Sequence, residues 1–365
     1  MPSGEHEDSL TVMNFNTYLL EVSVGFQVLR KPNMEQRAAG IEEWFNRLSL
    51  EELPDVLVLN EIYSYRAELL VQRIACKQWS KNKSKYVWGD RRIMQCDRTS
   101  NFQAVTAVVN ATSVANPVKE GGVVVLVKRG LQMLSAEERV FRHASGSDWM
   151  SRKGFWAVKV QKGSKGYWVL ATHTQAWPGV QETQIRLSQF RQMRAFVDEV
   201  VEDGSRVCFA GDMNITTHPN ELTGPGNEQF GMCQALGAPG VPAMAGSLVK
   251  RGFWVQLDAD LEFSADADSN HYVSCDATAR EHGSQQLDWI IAPGVGDRLA
   301  APNAMRFQYV PVKASNPFAS ELVKGVQADD LSDHYAVFAH LWYGLGECPS
   351  IASICGHRGT IRRVP

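Results

Sequence analysis

One stretch constrains this chain more than any other: an apolar run that ends in two closely spaced polar residues. Residues 207–209 are apolar, and Ala210-Gly211 leads from them to Asp212 and Asn214. Residues i and i+2 of a strand share a face, so both side chains can point at the same atom beyond the strand end. Chain beyond a buried strand often carries binding and catalytic residues. The same pattern is also ordinary turn chemistry, so its meaning depends on whether other segments end in the same way.

Two earlier segments do end in this way. The sequence predicts a strand over Leu10–Leu20 that places Asn14 and Asn16 on one face. A nearly continuous apolar run over 55–59 then predicts a strand buried on both faces, with Glu61 at its end. A carboxylate there packs poorly but suits a divalent metal. Asn16 fits either a site residue or a core amide whose hydrogen bonds are satisfied.

Later segments place further polar residues beside predicted strands. His173 directly follows one strand, and Asp288 lies at the start of another. Asp333 and His334 directly precede the last predicted strand. Several buried strand ends of this kind are hard to explain by packing, because each buried carboxylate must be paired or bound to a cation. The pattern predicts that these side chains share one site.

Helical periodicity separates the strands and defines the class of fold. Apolar residues recur at helical spacing over Met34–Leu48, Tyr65–Cys76 and Gln181–Val200. No internal repeat or low-complexity linker divides the chain. We therefore predict one α/β domain over residues 1–343, followed by a C-terminal tail over 344–365.

Composition limits the partners. The net charge of the 365 residues is -3, which gives no global argument for a nucleic-acid partner. Residues 73–98 are locally basic and fit either a solvated face or contact with phosphates or anionic lipid. No secretory signal or membrane-spanning run is visible, so we expect a soluble protein, cytoplasmic or peripherally bound to a membrane. The seven cysteines include no C-x-x-C pair, so a zinc knuckle is not indicated.

The chemistry that needs this residue set is metal-assisted hydrolysis of a phosphodiester. Magnesium prefers a carboxylate and takes substrate oxygens as further ligands, which suits Glu61 with Asn16 nearby. A histidine oriented by a carboxylate can take a proton from the attacking water, and His334 with Asp288 or Asp333 would serve.

The remaining candidates would act on the water and the phosphoryl group. Asp212 and Asn214 would position that water and donate to the developing oxyanion. His173 would hold a phosphoryl oxygen or assist the leaving group.

Five motifs in this order resemble those of the endonuclease/exonuclease/phosphatase superfamily, and the match runs from about residue 10 to residue 342. They are Asn14-Phe15-Asn16-Thr17-Tyr18, Leu59-Asn60-Glu61, Gly211-Asp212-Met213-Asn214, Leu287-Asp288-Trp289-Ile290 and Ser332-Asp333-His334-Tyr335.

Within the superfamily the chain is most similar to neutral sphingomyelinases. The narrower resemblance is carried by Asn16-Thr17-Tyr18-Leu19-Leu20, Lys153-Gly154 after Asp148, Thr172-His173-Thr174-Gln175-Ala176 with Arg186 and Gln189, and Asp266 with Asn270. It implies a four-layered α/β/β/α sandwich of two packed mixed β-sheets, as in deoxyribonuclease I. It also implies magnesium-dependent cleavage of sphingomyelin to ceramide and phosphocholine, with Mn²⁺ or Co²⁺ able to substitute.

The resemblance also implies a role for each site residue. Glu61 would be the principal metal ligand with Asn16 beside it, and Asp333 would lie near the metal. His334 would be the general base and Asp288 its orienting partner.

The catalytic set would be completed by Asp212, Asn214 and His173. Lys153 and Asn270 would contact the substrate together with Asn214 and His173.

Three positions depart from the family pattern. Asn60 replaces the usual Gln before Glu61, Ala265 replaces a Trp, and Ala336 replaces a Pro. The last two weaken lipid specificity more than hydrolysis. A nuclease, an inositol-phosphate phosphatase and an inactive binding module therefore stay as alternatives.

The expected partner is a phospholipid at a membrane surface, and we expect a monomer. Phe253-Trp254 and Trp177-Pro178 fit either a hydrophobic contact with that membrane or ordinary core packing.

Overall fold

The computed structural model describes residues 8–24, 27–75, 102–105, 122–215, 228–236, 253–254, 265–266, 268–275, 284–293, 297–344 and 360–363. The first strands are β1 (Ser9–Leu19), β2 (Glu21–Val24), β3 (Gln27–Arg30), β4 (Val56–Ile62), β5 (Phe102–Val105), β6 (Val124–Lys128), β7 (Gln132–Val140), β8 (Gly154–Lys162) and β9 (Lys165–His173). The later strands are β10 (Arg206–Asp212), β11 (Phe253–Trp254), β12 (Asp288–Pro293), β13 (Ala304–Val310), β14 (Lys313–Ala319), β15 (Gln327–Asp330), β16 (Ala336–Trp342) and β17 (Thr360–Arg363). The helices are α1 (Met34–Arg47), α2 (Tyr65–Ala75), α3 (Val180–Val200), α4 (Glu228–Ala235) and α5 (His271–Cys275), with a 3₁₀ helix over Gly146–Met150.

Two mixed sheets form the centre of the molecule. The first has the strand order β17-β13-β16-β1-β4-β6-β5, and the second has the order β11-β12-β10-β9-β8-β7. A layer of apolar side chains lies between them, including Val12 and Val58 from the first sheet and Ala171, Ala210 and Ile290 from the second.

Each sheet buries its other face under helices. Met13 and Phe15 of β1 pack with Ile41 of α1 and Leu70 of α2. On the far side, Phe209 of β10 belongs to a separate apolar cluster with residues of α3 and α4. The order of layers is therefore helix, sheet, sheet, helix, and the predicted four-layered sandwich is confirmed.

Strand direction brings the predicted polar ends together. β1 runs parallel to β4, and β9 runs parallel to β10, so in each pair the C-terminal ends are adjacent. β16 is antiparallel to β1, and β12 is antiparallel to β10, so β16 and β12 begin where their partners end. All six strand ends that carry predicted site residues thus lie at one end of the sandwich.

Part of the predicted tail belongs to the first sheet. Residues 360–363 form β17, which pairs antiparallel with β13 at the sheet edge. The sequence predicted residues 344–365 as a tail separate from the domain. This segment instead satisfies backbone hydrogen bonds that β13 would otherwise expose.

No helix within the described ranges is both long enough and apolar enough to cross a bilayer. Most of the basic segment 73–98 lies outside the described residues.

Candidate active site

The inner face of β1 carries the first two polar side chains. Val12 lies in the layer between the sheets, so the alternation of the strand places Asn14 and Asn16 on the same side, farther towards its end. Both are fully buried. Asn14 and Asn16 therefore lie on one face of β1, as the sequence predicts.

Glu61 reaches the site by leaving the strand alternation. Val58 and Asn60 of β4 face the other sheet, so regular alternation would send Glu61 outwards. The backbone at Glu61 is left-handed instead, with φ 60°. Such a conformation costs a residue with a side chain about 1–2 kcal/mol, and this kind of strain clusters at functional sites.

The second sheet supplies its carboxylates from paired positions. Asp212 of β10 lies opposite Asp288 of β12 on one side and His173 of β9 on the other. Gly211 is required beside them, because a Cβ atom there would collide with the carbonyl oxygen of Thr172.

A chain of hydrogen bonds crosses between the sheets and orients His334. Its Nδ1 atom lies 2.5 Å from Asp288 Oδ2. Asp288 Oδ1 accepts a hydrogen bond from Asn14 Nδ2 at 2.7 Å, and Asn14 Oδ1 accepts one from Asn60 Nδ2 at 2.7 Å. With both oxygens engaged, the carboxylate fixes the imidazole through Nδ1 and leaves Nε2 for a proton from another group.

The surrounding charges keep this imidazole basic. Burial acts to lower the pKa of His334, but the carboxylates of Asp288 and Asp333 outweigh it and raise that pKa well above the usual 6.5. Asp333 Oδ1 lies 3.9 Å from Nε2. The site can therefore accept and hold a proton at His334.

Asp212 joins the two sheets. Its Oδ2 atom accepts a hydrogen bond from Asn16 Nδ2 at 2.9 Å and lies 3.6 Å from His173 Nε2. Its Oδ1 atom accepts a hydrogen bond from the backbone N–H of Asn214 at 3.0 Å. Burial, together with the charge of Asp288, raises the pKa of Asp212 to about 7.

Glu61 offers the best ligand atom for a cation. Its Oε2 atom is buried and has no hydrogen-bond partner among the described residues. Burial and the negative charge of Asp333 raise the pKa of Glu61. A buried carboxylate oxygen without a partner is unfavourable unless a cation binds, so the residues present fit a hard divalent ion.

A second group of possible ligands is less suitable. Asp212, Asp288 and His334 each place one ligand atom within 4.8 Å of the others. Both oxygens of Asp288 already accept hydrogen bonds, however, and His334 is one of the donors. This trio is better suited to handling a proton than to binding a metal.

Asn16 is oriented as a donor in this structure. Its Nδ2 atom donates to Glu61 Oε1 at 3.3 Å, and its Oδ1 atom accepts a hydrogen bond from the Tyr18 backbone N–H at 3.0 Å. A metal ligand would present the oxygen. The predicted ligand role of Asn16 therefore stays a prediction, and what the geometry shows is an amide that holds Glu61.

Lys153 is buried beside the site and anchors two loops. Its Nζ atom pairs with Asp148 Oδ2 at 2.8 Å and donates to the Thr174 carbonyl at 2.6 Å. Asn214 Nδ2 donates to the same carbonyl at 3.2 Å. Lys153 and Asn214 thus lie together where the sequence predicts them, and their contact with substrate stays a prediction.

His173 is a neutral imidazole in this setting. Burial and the charges of Lys153 and His334 lower its pKa well below 6.5. Its Nδ1 atom is buried and has no partner among the described residues. A neutral ring next to Asp212 is suited to donating a hydrogen bond rather than to carrying charge.

Asn270 is buried and hydrogen-bonded beside the site. It is fully buried, and its Nδ2 atom donates to the Ser332 carbonyl at 2.9 Å. Its Oδ1 atom accepts from the backbone N–H groups of Tyr272 and Val273 at the start of α5. Asn270 therefore supports the turn that carries Asp333 and His334, and its contact with substrate stays a prediction.

Sequence reasoning missed three members of the site. Asn14 and Asn60 were recognised only as parts of motifs, yet they extend the contact from His334 and Asp288 into the first sheet. Ser332 donates from Oγ to the Asn16 carbonyl at 2.6 Å. Strand alternation at Asn14 and Asn60 was the available signal, because both are amides at inward positions.

Comparison with curated proteins finds sphingomyelinases, and no family model matches the chain. Sphingomyelinase C 2 of Leptospira interrogans is 24% identical over 311 residues, which are 79% of this chain and 44% of the relative. Sphingomyelinase C of Listeria ivanovii is 28% identical over 109 residues, which are 28% of this chain and 32% of the relative. The chain thus spans less than half the length of the curated relatives that it matches.

Solved structures share the fold over nearly the whole chain. Sphingomyelinase C from Streptomyces griseocarneus has a TM-score of 0.60 and 22% identity, with 91% of this chain and 99% of that chain covered. A mutant of beta toxin from Staphylococcus aureus, solved with bound magnesium ions, has a TM-score of 0.58 and 19% identity, with coverage of 91% and 99%. At these identities the structural likeness establishes the fold.

Proposed function

We propose that the chain, whose motifs resemble those of the endonuclease/exonuclease/phosphatase superfamily and whose sequence and fold are similar to those of sphingomyelinases, is a magnesium-dependent phosphodiesterase. Its proposed substrate is sphingomyelin, which water would cleave to ceramide and phosphocholine. One observation carries this proposal above the others. A basic, carboxylate-oriented His334 lies at the same strand ends as Glu61, whose buried oxygen has no described partner.

Glu61 would hold the cation, with Asp333 nearby and Asn16 fixing the orientation of Glu61. When bound, a divalent cation offsets charge on the phosphoryl oxygens and eases departure of the leaving group. Magnesium is proposed because the ligand is a carboxylate oxygen, and Mn²⁺ or Co²⁺ are proposed substitutes.

His334 would act as the general base. Its Nδ1–H is held by Asp288, so Nε2 is the atom that accepts the proton of the attacking water. Water would attack phosphorus as its proton passes to His334, and the bond from phosphorus to the ceramide oxygen would break. Ceramide would leave, its oxygen taking a proton to become the alcohol, and phosphocholine would keep the oxygen that came from water.

The remaining residues would fix the water and the phosphoryl group. Asp212 accepts hydrogen bonds from Asn16 and from the backbone of Asn214, which holds its carboxylate in one orientation. Neutral His173 and the amide of Asn214 would donate hydrogen bonds to phosphoryl oxygens as charge develops. Lys153 would add a positive charge near them.

The lipid substrate is favoured by the relatives and by two exposed indoles near the site. Trp149 and Trp177 are 70% and 59% exposed. Their neighbours Asp148 and Ala176 are joined by a hydrogen bond of 2.6 Å from the Ala176 N–H, and Asp148 pairs with Lys153. Exposed tryptophans suit the boundary between water and lipid, so we propose peripheral contact with a membrane through these loops.

The test offers one protein preparation three substrates. Purified protein with Mg²⁺ is incubated with sphingomyelin vesicles, plasmid DNA and an inositol polyphosphate, each with and without a chelator. Chelator-sensitive release of phosphocholine alone supports the proposal. Cleavage of DNA or of the inositol polyphosphate instead would assign another branch of the superfamily, and no reaction on any substrate would favour a binding module.

A matched pair of histidine variants ties the reaction to this site. His334→Ala should lower turnover by about 10²–10⁴-fold, the usual contribution of a general base. His143→Ala, at an exposed position in the loop after β7, should leave it unchanged. Equal activity of both variants would remove the assignment of His334.

A further inference from the structure

A fully buried arginine lies beneath the site and takes no part in the proposed chemistry. Arg37, in the first turn of α1, has no solvent exposure. Its Nε atom donates to the Pro32 carbonyl at 2.8 Å, and Nη2 donates to the Tyr18 carbonyl at 2.7 Å. Nη1 donates to the carbonyls of Thr17 at 3.1 Å and Leu331 at 3.4 Å.

The guanidinium has no carboxylate partner in the described part of the chain. Its Cζ atom lies 4.9 Å from the ring centre of Tyr18 and 5.1 Å from that of Tyr272. Two aromatic faces and four carbonyl dipoles therefore stabilise the buried charge in place of an ion pair. Burial of an unpaired cation is unfavourable, so its presence requires an explanation.

The carbonyls that Arg37 binds flank the catalytic residues in the sequence. Thr17 and Tyr18 directly follow Asn16, which donates to Glu61 and Asp212. Leu331 directly precedes the turn of residues 332–334 that carries His334. Arg37 thus bridges the end of β1, on the side of the candidate metal ligand, and the turn that holds the candidate base.

Backbone strain at the same point supports this interpretation. Tyr18 has a left-handed backbone with φ 54°, which turns its carbonyl towards Arg37. The Tyr18 N–H donates to the side chain of Asn16. A side-chain-bearing residue holds this conformation only when its surroundings fix it. Arg37 and Asn16 supply contacts that help to do so.

We propose that Arg37 is a positioning residue that sets the distance between Glu61 and His334 by joining the end of β1 to the turn before His334. The proposal builds on the proposed function but concerns a residue that touches neither substrate nor cation. Catalytic groups must be held to within about 0.5 Å, and a shift of about 1 Å can lower turnover by about 10²-fold. Loss of the bridge should therefore lower activity without unfolding the protein.

The test compares two substitutions at this position with a matched control. Arg37→Met removes all donors at similar length, and Arg37→Lys keeps the charge but replaces a planar fork with a compact ammonium. Arg298→Lys is the control, because Arg298 also binds backbone carbonyls, those of Val197 and Val201. These carbonyls precede the start of β10, at the opposite end of the sandwich from the site. Circular dichroism and thermal unfolding establish that each variant is folded at the assay temperature.

Two readouts separate positioning from stability. For Arg37→Lys we expect kcat to fall by about 10-fold and for Arg37→Met by about 100-fold, with KM within about 2-fold of wild type. Calorimetric titration with Mg²⁺ alone should show weaker binding in the same order. Arg298→Lys should keep the wild-type kcat and Mg²⁺ binding, even if its Tm falls as far as that of the Arg37 variants.

A folded Arg37→Lys with wild-type kcat and wild-type Mg²⁺ binding would overturn the proposal, even if Arg37→Met does not fold. Equal losses in Arg37→Lys and Arg298→Lys would also overturn it, because the effect would then be one of stability. If the wild type cleaves no phosphodiester but Arg37→Lys still weakens Mg²⁺ binding, the proposed function fails and the positioning role stands.

Discussion

At the scale of single residues, the chemistry depends on how each polar atom is held. The Asp288 carboxylate holds His334 Nδ1, and the second oxygen of that carboxylate accepts a hydrogen bond from Asn14. Orientation of a base by such outer contacts is commonly worth 10–100-fold in activity. The Asn14 amide therefore helps to orient the base, because it holds the carboxylate of Asp288 in place.

Asn14→Ala tests this contact. We expect kcat to fall by about 10–100-fold with little change in KM, because the carboxylate of Asp288 loses one of its two fixed hydrogen bonds. The pH profile and steady-state kinetics, on whichever substrate the three-substrate assay identifies, measure the effect. Asn303→Ala is the control, since Asn303 binds the carbonyls of Tyr343 and Gly344 at the far end of β16. Unchanged kcat for Asn14→Ala would show that Asp288 needs no support.

Glu61→Gln should have two effects of opposite sign. It should weaken Mg²⁺ binding by about tenfold or more, because the cation loses a charged ligand. In chelator at neutral pH it should raise Tm, because the wild-type carboxylate is buried with an unpartnered oxygen and is repelled by Asp333. Calorimetry with Mg²⁺ and thermal unfolding in chelator measure the two effects. A lower Tm in chelator together with normal Mg²⁺ binding would contradict the assignment of Glu61.

At the scale of elements, the sequence predicts best where side-chain alternation is unbroken. β1, β4, β9, β10 and β16 were all expected, because their apolar runs are long and have polar residues at one end. The outward strand β7 was not expected. Its residues, among them Ser135, Glu137 and Arg139, face solvent at a sheet edge, so no apolar pattern marks the strand.

Local backbone geometry was also not predicted from the sequence. Glu61 was predicted at the site, but regular alternation would have turned it away, and only the left-handed bend brings it in. Asn270 was predicted only as a substrate contact, and the sequence did not show that it also supports the turn before His334. Motif position identifies which residues matter, but the roles depend on contacts between segments that are far apart in the chain.

Gly211→Ala tests the close approach of β9 and β10 next to Asp212. The added Cβ atom would meet the Thr172 carbonyl, so we expect a loss of about 1–3 kcal/mol in the free energy of unfolding. Denaturant unfolding measures it. Gly166→Ala in β9 is the control, because its nearest neighbour would be Lys159 Cε at 3.7 Å, an ordinary contact. Equal stability of the two variants would refute the steric argument.

At the scale of the whole molecule, the sandwich places a polar cluster at one end and exposed indoles beside it. The apolar layer between the sheets supports the inward polar residues, so the site lies on regular strands rather than on long loops. Trp149 and Trp177 project from the loops around it. This arrangement is what the proposed action on a membrane lipid would require.

Trp149→Ala combined with Trp177→Ala should separate surface binding from chemistry. We expect weaker sedimentation with sphingomyelin vesicles and slower hydrolysis of vesicle substrate, because the exposed apolar area is removed. Turnover of a short-chain, monomeric phosphodiester should be unchanged. Leu134→Ala, another exposed apolar position at 44% exposure on the edge strand β7, is the control. Vesicle binding equal to that of the wild type would show that the two tryptophans do not make the membrane contact.

The central claim is that side chains from both sheets form one cation site at Glu61, within reach of His334. Anomalous scattering from crystals soaked with Mn²⁺ tests it most directly. We predict a strong peak about 2 Å from a carboxylate oxygen of Glu61, the distance expected for a hard divalent ion. A peak between Asp212, Asp288 and His334 with none at Glu61 would contradict the account.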